Sequence, residues 1–261
     1  MPRHDVDLIL EGQGSETLLM LHGWPDTHRL WDAQVEERRD RFRCARFTWP
    51  GFERDAPRTR LTLDDTVALV LEVVDRLCPD GKVTLVLHDW GCIFGYQFAM
   101  RHPDRVARIV GVDIGDTRGL ARTLSAQQKA GVLAYQLALA LAWTIGGTVG
   151  DGITRRVARW ARAPADPATL GWQMNWPYHL AWFGGRHALR RHALPFDPPC
   201  PMLFVYGTRK PFPFHADAWA QALARRPGCR VEAFDTGHWV TVRGRERFNR
   251  LLREWLPAGG D

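Results

Sequence analysis

The segment LVLHDWGCIFG, residues 85–95, runs apolar as far as His88, breaks at Asp89-Trp90-Gly91, and resumes with a helical pattern. An aspartate at such a corner has two uses. It caps the helix, because Asp is among the preferred N-cap residues, or its carboxylate acts as a nucleophile. The second use selects a reaction at saturated carbon. Serine attacking such a carbon would leave an ether that water cannot readily cleave, whereas aspartate leaves an alkyl ester that an activated water hydrolyses. That chemistry needs a general base and an acid to orient it.

The elements that must position Asp89 follow from hydrophobic patterning. Strand-like runs occur at Val6 to Leu10, Thr17 to Leu21, Phe42 to Thr48, Val83 to His88, Ile109 to Ile114, Met202 to Tyr206 and Arg230 to Phe234. Helical periods lie between several of them. LDDTVALVLEVVDRLC (63–78) places apolar residues at 67, 70, 71 and 74 behind Thr62, an N-cap residue with Asp65 three positions on. The later strands are continuous apolar runs, as a parallel sheet covered on both faces requires. After Asp116 the alternation stops, and residues 117–195 carry helical patterns with no strand; Ser125 with Gln128 is a capping box opening one of these helices. Strand and helix alternate again after PFDPPCP (195–201). The expected organisation is an α/β core over 1–116 and 196–261, interrupted by a helical cap over 117–195. A helical insertion of this kind covers strand ends, where open α/β sheets bind ligands.

With a strand, a tight corner and a helix carrying Gly91, Cys92 and Gly95, the Asp89 segment resembles the nucleophile elbow of the α/β-hydrolase superfamily, with Asp where Ser is usual and Leu87 where the first small residue stands. The resemblance extends along almost the whole chain. LHGWPD (21–26) resembles the oxyanion-loop HGxP motif, TWPGFERD (48–55) the segment after the next strand, and DTGHWV (235–240) the loop of the catalytic histidine. It implies the α/β-hydrolase fold, with a mostly parallel sheet wound with helices and a helical lid inserted between strands. It also implies Asp89 as nucleophile, His238 as base, and the backbone N–H groups of Trp24 and Trp90 as oxyanion hole, with His22 and His88 in support. A bare N-cap role for Asp89 would not call for the other motifs. In many relatives an acid follows the strand corresponding to MLFVYG, but Lys210 stands in that place. Some Asp-nucleophile relatives carry the acid after the strand that follows the elbow helix, which points to Asp113; Asp116 is left to cap the lid, and Asp217 and Asp235 are outside candidates.

Among Asp-nucleophile members the resemblance points to two chemistries. Epoxide hydrolases use a pair of lid tyrosines on the epoxide oxygen, and Tyr135 and Tyr178 are the two tyrosines of the helical stretch. Haloalkane dehalogenases use two N–H donors for the departing halide: the indole of Trp90 would be one, and Trp143, Trp172, Trp176, Trp182 or Asn175 the second. Epoxide hydrolysis to a vicinal diol is placed first, the dehalogenase second, and a noncatalytic ligand-binding protein on the same fold third. The expected substrate is a small, mostly apolar molecule, with Trp90 and Trp176 joining the tyrosines in binding it and water as co-substrate; the arginines of GGRHALRRHAL (184–194) could instead select an anionic one. No metal or organic cofactor is implied.

Composition narrows the alternatives. The 261 residues, 45% hydrophobic, suffice for one large core. Five cysteines, an odd number without CxxC spacing, argue against a disulfide framework or zinc site, and with no secretory pattern at the start the expected location is the cytoplasm. A net charge of +6 comes with no nucleic-acid-binding motif. The uncharged stretch 131–150 has the length of a membrane span, but Gln136 and its glycine-rich end predict a buried lid helix, with a turn at TIGGTVGDG. Neither nucleic acid nor membrane is an expected partner, and the oligomeric state is left open.

Overall fold

The apolar run before Asp89 forms a central strand whose six residues are all buried, because neighbouring strands pair on both edges and helices cover both faces. The computed structural model describes residues 6–256; the outermost residues of the expected core, 1–5 and 257–261, lie outside the described residues. The strands are β1 (Ile9–Glu11), β2 (Glu16–Leu21), β3 (Phe42–Arg46), β4 (Val83–His88), β5 (Val106–Val112), β6 (Met202–Gly207) and β7 (Arg230–Phe234). They form one sheet in the order β1-β3-β2-β4-β5-β6-β7, antiparallel at β1–β3 and parallel elsewhere. Successive residues feed opposite faces. Leu19, Leu21, Leu85 and Leu87 join one buried cluster, while Leu18, Met20 and Val86 join the other.

Helices α1 (Asp32–Arg38), α2 (Leu63–Leu77) and α3 (Trp90–Arg101) follow β2, β3 and β4; α9 (Asp217–Ala224) joins β6 to β7, and α10 (Val240–Arg243) and α11 (Arg245–Trp255) follow β7. The expected caps are present: Thr62 with Asp65 and Ser125 with Gln128 both close reciprocal boxes.

Between β5 and β6 run α4 (Thr117–Thr123), α5 (Ala126–Ile145), α6 (Gly147–Trp160), α7 (Trp176–Phe183) and α8 (Leu189–His192). The turn expected over TIGGTVGDG is tighter than its composition suggests. Gly146 and Gly147 take φ of 71° and 57°, and α6 starts at once. Helix α5 buries Leu139, Ala140, Ala142 and Trp143 but leaves Leu141 and Ile145 exposed. Among the described residues no helix is long and apolar enough to cross a membrane.

Candidate active site

Asp89 has φ 52° and ψ −121°, a conformation that L residues adopt only when their surroundings impose it. Gly91 is part of that imposition, because a Cβ there would lie 2.2 Å from the Leu21 carbonyl oxygen, so only glycine lets α3 approach β2. Leu87, the larger residue at the elbow's first small position, is accommodated at Gly95, where a Cβ would meet the leucine side chain at 2.5 Å. The Asp89 side chain makes no capping bond to α3. Its Oδ1 instead accepts the Trp24 backbone N–H at 2.7 Å, and Oδ2 lies 3.3 Å from His238 Nε2. Helix capping therefore does not explain this aspartate.

His238 comes from the loop after β7. Its Nδ1 bonds Asp113 Oδ2 at 2.5 Å, so the imidazole bridges two carboxylates that lie 24 residues apart in sequence and on successive strand ends. Asp113, at the end of β5 with φ 72°, is fully buried. Its Oδ1 accepts the Gly207 backbone N–H at 2.9 Å and the Lys210 ammonium. Burial opposes its ionisation, but the Lys210 charge and then His238 prevail and hold the carboxyl well below the usual range. Burial likewise opposes the His238 charge, yet Asp113 and Asp89 together raise its pKa to about 9. Asp89, despite burial, is held below its ordinary value chiefly by His238.

His22 and His88 are neutral supports. Burial pushes His22 down to about 3; its Nδ1 lies 3.0 Å from the Gly23 carbonyl oxygen and its Nε2 accepts the Trp49 N–H at 3.1 Å. His88 is pushed down to about 4, with Nε2 3.3 Å from the His238 carbonyl oxygen. Two features had no reading in the sequence. One is the Lys210–Asp113 ion pair, and the other is Asp26, whose Oδ2 accepts the Trp239 indole N–H at 2.8 Å and whose carboxyl burial pushes up to about 7.

A cavity of about 880 Å³ opens onto Asp89 and His238, walled by Trp24, Tyr135, Tyr178, Phe212 and Phe214. The two phenol rings, from α5 and α7, are 6.2 Å apart. Burial raises both phenols above their ordinary value, and the Asp89 charge adds to the rise. Trp90 and Trp176, expected to bind substrate, are not among the cavity's walls. Trp90 stacks on Phe94 and presents its face or edge to Tyr178, and Trp176 lies 1% exposed against Phe94 with its indole donating to the Pro50 carbonyl. Trp176 is thus engaged in packing behind the cavity, whereas Trp90 also shares a side-chain hydrogen bond with the wall residue Tyr178. Of the stretch 184–194, Arg186 and Arg191 are not among the cavity walls. Asp116 accepts the Gly119 N–H at the start of α4, and Asp235 pairs with Arg209, so neither is the carboxylate bonded to His238. Asp217 is exposed in the first turn of α9.

The sequence model of the family described as the alpha/beta hydrolase fold matches residues 16–178. Epoxide hydrolase 1 of Caenorhabditis elegans is 29% identical over 100 residues, 37% of this chain and 24% of that protein. The cis-3-alkyl-4-alkyloxetan-2-one decarboxylase of Xanthomonas campestris pv. campestris is 34% identical over 104 residues, 36% of this chain and 35% of that protein. The matched stretch thus takes in only a minor share of either relative's length. A crystal structure of Bacillus megaterium epoxide hydrolase in complex with an inhibitor superposes with a TM-score of 0.73 at 20% identity, covering 96% of each chain.

Proposed function

The chain belongs to the alpha/beta hydrolase fold family, and from that premise we propose that it is an epoxide hydrolase acting through an Asp89 alkyl ester. Asp89 attacks a ring carbon and the carbon–oxygen bond breaks, while the phenols of Tyr135 and Tyr178 hold the oxygen as negative charge develops on it. The opened ring takes up one proton. His238 carries one in the resting site because two carboxylates hold it there. Esterification removes the Asp89 charge, so His238 gives up its proton and the count closes. Neutral His238 then takes a proton from water as it attacks the ester carbonyl, and the Trp24 N–H, already on Asp89 Oδ1, holds the oxyanion together with that of Trp90. The diol leaves, and ionised Asp89 and protonated His238 return. Every step is carried by side chains, backbone and water, so the reaction as written calls for no cofactor.

The observation that carries the choice of epoxide over halide is the pair of phenols on the cavity wall beside engaged nitrogen donors. The Trp24 indole donates to Asn175 Oδ1 at 2.7 Å, Asn175 Nδ2 to Thr154 at 2.7 Å, the Trp176 indole to Pro50 and the Trp182 indole to Gln136 at 2.9 Å. Trp143 and Trp172 are not among the walls. A departing halide would find no second donor among the residues expected to supply one. The helical segment 117–195 serves in this reading as a cap that contributes the tyrosines to a mostly apolar pocket.

Intact-protein mass spectrometry of His238→Gln incubated with an aryl epoxide, a 1-bromoalkane and an alkyl oxetan-2-one tests the proposal, with Asp89→Asn as control. An adduct that retains the epoxide oxygen and requires Asp89 is the expected result. An alkyl adduct with bromide lost, and none from the epoxide, would move the assignment to dehalogenation. Absence of any adduct would favour a protein that only binds.

A further inference from the structure

The ester reading leaves Lys210 without a task, although its side chain is 6% exposed and ion-paired to a carboxylate with no exposure at all. Burying a lysine is costly unless a charge is paired to it. A carboxylate that served only to orient His238 would need no second partner, because Gly207 N–H already holds its Oδ1.

The groups facing His238 account for the ammonium. From the α3 corner comes Asp89, and from β5 Asp113. From β4 comes His88, neutral, with its ring 4.6 Å from that of His238, and from the loop after β2 comes Asp26, largely protonated below neutrality. From the segment after β6 come Lys210, the Phe214 ring 5.3 Å away, and neutral His215 behind it. Arg209 and Asp235 pair with each other at the exposed mouth. Below neutrality the enclosed charges are thus two carboxylates, one imidazolium and one ammonium. We infer that Lys210 is a positioning residue that acts on His238 through the Asp113 carboxylate, its positive charge keeping the enclosed site electrically neutral both before and after Asp89 is esterified.

This inference rests on the ester mechanism. In the resting site Asp89 and Asp113 balance His238 and Lys210. In the ester, Asp89 and His238 are both uncharged and Asp113 balances Lys210. Without the ammonium each state would carry one uncompensated negative charge, and in the ester that charge would hold the proton on His238, the form that cannot activate water. Lys210 therefore favours the second half of the cycle over the first.

The test needs no substrate. Asp89→Asn fixes the uncharged state of the nucleophile, and the imidazole nitrogen shifts of His238 are followed against pH by NMR, with the signal identified by its loss in His238→Gln. His238 is expected to titrate lower in Asp89→Asn than in wild type. Adding Lys210→Gln, which keeps an N–H donor for Asp113 but no charge, is expected to move the midpoint back up by about one pH unit, and Lys210→Arg to leave it near that of Asp89→Asn alone. Identical midpoints with and without Lys210→Gln would overturn the inference. Should Lys210→Gln not fold, Lys210→Met is measured the same way. Because no turnover enters, failure here is separate from failure of the epoxide assignment. With turnover, the acid limb of kcat in Lys210→Gln is expected to move to higher pH, and an unmoved limb would count against the inference.

Discussion

On the β5–β6 side of His238, Asp113 is fully buried and ionised; on the β2 side, Asp26 is almost as enclosed, and burial carries its carboxyl up to about 7. Both accept an N–H bond, Asp113 from Gly207 and Asp26 from the Trp239 indole. The difference is a full positive charge. Asp113 has the Lys210 ammonium and the His238 imidazolium within bonding distance, whereas the nearest basic group to Asp26 is His88 at 4.0 Å, itself kept neutral by burial. Desolvation by itself favours the uncharged acid, and only a paired cation reverses it. The two sides thus differ in kind: one holds paired opposite charges, to which the proposed mechanism gives the proton transfers, and the other, without a paired cation, holds the Trp239 indole.

The largest test of that division removes the charge of Asp113. Asp113→Asn is expected to slow ester hydrolysis by about 10²–10⁴-fold, the usual contribution of a positioned general base, with the Asp89 ester accumulating in single-turnover mass spectra. Normal turnover in that variant would remove Asp113 from the mechanism. The same substitution at Asp26 should do little below pH 7, where its carboxyl is largely protonated and asparagine presents the same acceptor to Trp239 without a charge; kcat at pH 6 is expected within about threefold of wild type, as when a buried bond is conserved. Asp26→Ala separates the bond from the charge. It leaves the buried Trp239 N–H without an acceptor, an expected loss of about 1–3 kcal/mol in urea unfolding, and a loss as large in Asp26→Asn would contradict the comparison.

The smallest effect concerns pH. The His238 pKa is raised from 6.5 to about 9 in the folded protein, so the stabilisation it brings is complete below 6.5 and disappears as pH rises through about 9. The unfolding temperature of wild type should therefore fall, relative to that of His238→Gln, between those values. A constant difference across the window would mean that the paired carboxylates do not hold the proton.

How much of this was legible in the sequence differs along the chain. Strands β4 and β7 lie where their apolar runs place them, and both capping boxes formed, because these signals are local. Strand β1 is displaced to Ile9–Glu11, since a short edge strand takes its register from its partner β3 more than from its own residues. The Asp89 corner could be read because strand, corner and helix are contiguous. Lys210 could not: it looked like a missing acid, and its partner lies 97 residues away. A lysine running directly into PFPF was the available signal, for such a neighbourhood implies burial and burial implies a counter-charge. Trp176, expected at the substrate, packs behind the cavity wall instead. Sequence cannot tell an aromatic side chain that faces a cavity from one that fills the layer behind it.

The ion pair between Asp113 and Lys210 also marks where the chain leaves the sheet and where it comes back. Asp113 follows β5, Lys210 follows β6, and all of α4 to α8 lies between them. The helical excursion is thus clasped at its root by the same two residues that set the charge of the site. Loop-closure cost grows only slowly with length, so a change in the length of this stretch would add little closure cost at its root. For an engineer the helices are where the pocket wall, Tyr135 and Tyr178 included, is varied, and the clasp beneath them is the part to leave untouched.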